Sequence, residues 1–71
     1  MPEMFNVIYF DSENTEKERT VLESTSIVDA ERDIIVKLRN EGQQIADVMY
    51  GPTYSKIQTV SGDKVHIKLQ V

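Results

Sequence analysis

The sequence predicts an α+β fold in which one amphipathic helix packs on an antiparallel sheet, with elements in the order ββαβββ. Three observations carry that prediction. Ser24 to Gly42 reads as one complete helix with a start, a buried face and a stop. Most of the remaining apolar residues follow strand spacing. The 71 residues leave room for one core, so residues 1–71 are expected to form a single small domain.

Met4 to Phe10 is rich in aromatic and branched residues and predicts a strand. Both of its faces are apolar, with Phe5, Val7 and Tyr9 on one and Met4, Ile8 and Phe10 on the other. Such a strand belongs inside a sheet or between two covering layers. Asp11 to Lys17 is polar and predicts a loop, and Arg19 to Glu23 predicts the returning strand of a hairpin. The charge at the hairpin tip discourages edge pairing with other copies.

The helix follows. The Ser26 hydroxyl can cap the first-turn amides, and Asp29 stands where a carboxylate can answer that cap. Ile27, Ala30, Ile34 and Leu38 recur at spacings of three and four, which puts them on one face, with Val28 and Ile35 flanking it. Lys37 and Arg39 suit the negative end of the helix dipole, and Asp33 and Lys37 are spaced for a surface ion pair. Gly42 can adopt the left-handed conformation that ends a helix. Val36 lies opposite the apolar face, either as a lone exposed valine or as part of a second contact surface.

Strand signals then return. Gln44 to Tyr50 carries Ile45, Val48 and Met49, Gly51-Pro52 interrupts the run, and Tyr54 to Val60 resumes it with Ile57, Thr59 and Val60. Ser61-Gly62-Asp63 can close a hairpin. Val65 to Val71 is the cleanest alternation, with Val65, Ile67, Leu69 and Val71 facing the core and His66, Lys68 and Gln70 facing water. One helix covers one face of such a sheet. The apolar remainder on the other face leads us to expect a homodimer.

Composition narrows the function classes. There is no cysteine, so no disulfide or thiolate zinc site, which suits a cytoplasmic location. The longest apolar run falls well short of the ~20 residues that span a bilayer, and Met1-Pro2-Glu3 does not resemble a basic leader, so no membrane association is expected. Net charge is −4 from 12 acids and 8 bases. Residues 1–35 hold nine acids and three bases, and residues 36–71 hold three acids and five bases. The second half is thinly basic, which disfavours nucleic acid and makes a protein the default partner.

No catalytic, cofactor or metal site is expected. His66 is the single histidine and alternates with core-facing neighbours, so it reads as a surface residue without the nitrogen or sulfur companions of a metal site. Asp11 to Glu16 spaces oxygen side chains as calcium loops do, but lacks their glycine and distant glutamate. No phosphate-cradling glycine run or nucleophile elbow occurs. Partner binding is expected at Tyr50, Pro52 and Tyr54, where two tyrosines bracket a rigid turn, with Val36 as a further contact. The hairpin followed by a serine-capped helix containing Asp29-Ala30 loosely resembles short bacterial and phage accessory proteins. That likeness is one of patterning over the first half of the chain and transfers no functional residue.

The resulting expectation is a small non-enzymatic protein-interaction module acting through a sheet face or the Tyr50–Tyr54 loop. Two alternatives accompany it. One is binding of single-stranded nucleic acid by the basic, tyrosine-bearing later strands, where aromatic rings can stack bases. The other is an acidic inhibitor that mimics nucleic acid.

Overall fold

The hairpin at the start of the chain is shaped by its turn. In the computed structural model, which describes residues 2–70, the Asp11 carboxylate accepts the amides of Glu13 and Thr15 at 2.9 and 3.0 Å. The backbone closes with Asp11 N–H donating to the Thr15 carbonyl, and Asn14 takes the left-handed conformation at φ 65°. Asparagine tolerates that region through local side-chain bonding. These bonds finish the turn within five residues, so strand β1 (Glu3–Phe10) is answered by β2 (Glu16–Ser24) earlier than expected. Glu16, Lys17 and Glu18 are strand rather than loop. Pairing with β1, including a register shift at Tyr9/Phe10, overrides their weak strand preference.

The helix α1 (Ile27–Asn40) has the predicted ends. Ser26 Oγ accepts the Asp29 amide at 3.2 Å. The Asp29 carboxylate does not return to the Ser26 amide as a capping box would. It accepts the Thr25 hydroxyl and sits 3.6 Å from Arg32. At the other end Gln43 N–H donates to the Leu38 carbonyl at 2.9 Å and Gly42 N–H to that of Arg39 at 3.0 Å. With Gly42 at φ 87° this is a Schellman stop. Lys37 does not pair with Asp33. Its ammonium donates to the Tyr9 hydroxyl at 3.0 Å, tying the last helical turn to β1.

Three more strands follow, β3 (Ile45–Tyr50), β4 (Tyr54–Thr59) and β5 (Lys64–Leu69). All pairs are antiparallel, and the order across the sheet is β2-β1-β5-β4-β3. The first and last strands thus lie side by side near the middle, with Val7 opposite Ile67. β1, apolar on both faces, is an interior strand as its sequence indicates.

The helix lies on one face of the sheet and completes the ββαβββ α+β arrangement. Ala30, Ile34 and Leu38 meet Phe5, Val7, Ile57, Val65 and Ile67, all buried, with Ile27, Ile35, Leu22 and Leu69 packed around them. Burying each of the larger aliphatic or aromatic side chains stabilises by about 1.5–3 kcal/mol. The inner face of β4 is partly polar. Ser55 and Thr59 are fully buried, the first donating to Glu31 Oε2 at 2.9 Å and the second to the Asp63 carbonyl at 3.0 Å. Val60, expected to continue that strand, is exposed in the β4–β5 turn. Val71, expected to face the core, lies outside the described residues. Among the described residues no helix is long and apolar enough to cross a membrane.

Candidate functional site

Strand pleating decides what the uncovered side of the sheet carries. Wherever Phe5, Val7, Ile57, Val65 and Ile67 point under the helix, their chain neighbours point the other way. Met4, Asn6, Ile8 and Phe10 therefore occupy the open face on β1, Lys64, His66 and Lys68 on β5, and Tyr54, Lys56 and Gln58 on β4. Register extends these rows to the outer strands. Arg19, Ile8, His66, Lys56 and Met49 align across all five strands. A second row runs through Val21, Asn6, Lys68 and Tyr54, and a third through Phe10, Lys64 and Gln58.

The face mixes apolar surface with positive charge. Met4, Val21 and Met49 are exposed, the last at 57%. Phe10 and His66 are in tilted contact, with centroids 4.7 Å apart and planes inclined by 50°. Burial first, and then Lys56, Lys68 and Lys64, push the His66 pKa below its usual value, so the ring is neutral near pH 7. Among the described residues the ion pairs are Arg19–Glu16 at 2.7 Å and Arg32–Asp29 at 3.6 Å. Arg19 is thus compensated on its own strand, while Lys56, Lys64 and Lys68 have no carboxylate partner. Lys64 donates to the Gly62 carbonyl at 3.1 Å. A shallow depression of about 110 Å³ lies here, bordered by Asp47, Met49, Lys56, Lys64 and His66.

Local charge differs from the chain average. Residues 1–24 contain six acids and two bases and so carry the whole net charge of −4, and the remaining residues balance at six of each. On the open face Glu16, Glu23 and Asp47 stand on the outer strands β2 and β3, Glu16 directly across from Phe10 and paired with Arg19, which leaves the lysines of β5 and β4 as the positive middle of the sheet.

The residues singled out from sequence do not share one surface. Tyr50 is 67% exposed and pairs with Ser55, so it belongs to the helix side of the sheet. Tyr54 pairs with Lys68 and belongs to the open side. Its ring lies against Gly51, where a Cβ would overlap it, and its carbonyl accepts the Gly51 amide at 2.9 Å. A side chain at position 51 would have to displace the Tyr54 ring. Pro52 is exposed at the turn between them, and Val36 is exposed on the helix away from the sheet. Phe10, Ile8 and His66 form the centre of the open face. Sequence reading gave Phe10 and Ile8 to the first strand's second face and His66 to the solvent side without joining them.

Another depression, of about 260 Å³, lies between the end of α1 and the hairpin. Lys17, Lys37 and Lys64 line it together with Glu18, Glu41 and Asp63, so its charges cancel. Among the described residues no three His, Asp or Glu side chains are grouped to hold a metal ion. No family model, curated protein or solved structure matches the chain, so its functional reading rests on its own geometry.

Proposed function

We propose that this protein is a non-enzymatic binding module whose working surface is the uncovered face of its sheet. One observation carries the reading: a single helix covers one face, while the other presents Met4, Ile8, Phe10, Val21 and Met49 beside lysines that form no ion pair among the described residues. Contiguous apolar surface rimmed by charge is a common mark of an interaction site. The Tyr50–Tyr54 turn supports the reading less, because its two rings belong to opposite faces. The cysteine-free sequence makes the cytoplasm the natural setting.

Capture from lysate tests the surface with three baits: wild type, an open-face variant (Met4→Gln, Val21→Thr, Met49→Gln) and a control (Val36→Ala, Tyr50→Ala). All altered side chains are exposed, so each variant should keep its circular dichroism spectrum and melting temperature. The bound material is expected to be lost from the open-face variant and kept by the control. The reverse pattern would move the working surface to the helix and turn.

Self-association is a second reading, favoured by the two-sided apolar character of β1. A face-to-face pair would bury Met4, Ile8 and Phe10 of each copy. Sedimentation equilibrium at high micromolar concentration should then show a dimer that the open-face variant loses, and a purely monomeric wild type would remove this reading.

A further inference from the structure

Resting on that reading of the open face, we infer that its ligand is a single strand of nucleic acid, with bases on Phe10, His66 and Tyr54 and phosphates on Lys56, Lys64 and Lys68. The strand register makes the arrangement specific. Each ring stands directly across from a lysine on the neighbouring strand: Phe10 from Lys64, His66 from Lys56, and Tyr54 from Lys68. The three rings descend diagonally across β1, β5 and β4, moving one strand over and two residues along at each step. Phe10 and His66 touch, and because their planes are tilted by 50° they offer one site at which a base lies flat on one ring at a time. Tyr54 provides a second, its position about 8 Å from that of His66 by ordinary strand geometry. Stacked bases of a duplex are only ~3.4 Å apart. An unstacked strand is therefore what reaches both sites with successive bases.

Electrostatics and rigidity agree with this occupant. Among the described residues the three ammonium groups form no ion pair, although Lys64 shares the neighbouring depression with Asp63, and Glu16, Glu23 and Asp47 flank the track on the outer strands. The Tyr54 ring rests against Gly51, which leaves its opposite side for a base. An acidic peptide would satisfy the lysines but leave the three rings without flat partners. Base stacking on aromatics tolerates any sequence, so little sequence preference is expected.

The test is fluorescence anisotropy of labelled dT10 and rU10 with the full-length protein. Both single strands are expected to bind at 20 mM salt, and a stronger rU10 signal would identify RNA as the preferred source. About three phosphate contacts give a salt slope near −2, so affinity should fall about a hundredfold at 200 mM. A ten-base-pair duplex should bind at least about tenfold more weakly than either strand. The variant Lys56→Gln, Lys64→Gln, Lys68→Gln should lose binding, and Phe10→Leu, which keeps the apolar packing, should weaken it at least about fivefold. Absence of binding to both strands at 20 mM salt would overturn the inference, as would a triple variant that binds like wild type. If those results came with lysate capture still lost from the open-face variant, the ligand would be a protein and the surface assignment would stand. If capture were also unaffected, both would fall.

Discussion

On its helix side β1 presents Phe5, Val7 and Tyr9, and on its open side the same strand presents Met4, Ile8 and Phe10. The two sets are alike in size and hydrophobicity. Their fates differ because α1 covers one and no element among the described residues covers the other. Phe5 and Val7 are sealed, whereas Met4 keeps 40% of its surface. Residue type therefore does not decide which half of this strand stabilises the fold and which half is available to a ligand. The covering layer decides it. The same division runs through β5, where Val65 and Ile67 are buried while Lys64, His66 and Lys68 form a positive strip.

The largest expected effect breaks the covered face. Phe5→Ala removes a fully buried ring and should cost about 3–5 kcal/mol. Against a total of about 5–15 kcal/mol, that is enough to leave much of the protein unfolded in mild denaturant. Met4→Ala, one residue away on the open side, should cost less than about 1 kcal/mol. Urea melts of the two variants measure the contrast, and equal losses would mean the faces are not energetically distinct.

A smaller effect separates two glycines. Gly42 and Gly62 both have positive φ, at 87° and 99°. A Cβ on Gly42 meets open space, but one on Gly62 would lie 2.9 Å from Ser12 Cβ in the β1–β2 turn. Gly42→Ala should cost about 1 kcal/mol through backbone strain alone. Gly62→Ala should cost more, up to about 3 kcal/mol, and adding Ser12→Gly should recover part of the difference. Failure of that rescue would show that the β4–β5 turn does not press on the first hairpin.

The smallest effect is on pH dependence. The folded His66 pKa lies below the usual 6.5, because burial and then the neighbouring lysines disfavour the cation. Between the folded and unfolded values the unfolded chain binds more protons, so stability rises with pH across that window. The stability is fully present above about pH 6.5 and declines as the solution is acidified below it. Carboxylates titrate mainly near pH 4. Melting temperatures between pH 7.5 and 5.5 should therefore drop more for wild type than for His66→Asn, and identical slopes would contradict the placement of His66 among the lysines.

Local signals made much of the fold legible in the sequence. Ser26 and Gly42 each act through backbone bonds to near neighbours, so the helix ends could be read directly. Alternation did the same for β1 and β5. Long-range pairing was not legible, because nothing in Val65–Leu69 states that its neighbour is β1 rather than β3. The strand through Glu16–Glu18 was hidden for a related reason: its pairing comes from β1 rather than from its own composition. Ser55 and Thr59 look like surface residues until Glu31 and the Asp63 carbonyl are seen to satisfy them.

The site followed the same rule. Tyr50, Pro52 and Tyr54 are adjacent in sequence, yet pleating sends the two rings to opposite sides of the sheet. Phe10, His66 and Tyr54 are separated by up to 56 positions and come together only once the β1–β5 and β5–β4 registers are known.

The most direct test of the open face as the binding surface is a methyl-labelled NMR titration with dT10 at low salt. Signals from Met4, Ile8, Val21 and Met49 should shift, while those from Val28 and Val36 on the helix stay in place. Shifts confined to the helix methyls would contradict the open face as the binding surface, and none at saturating oligonucleotide would contradict the single-strand ligand.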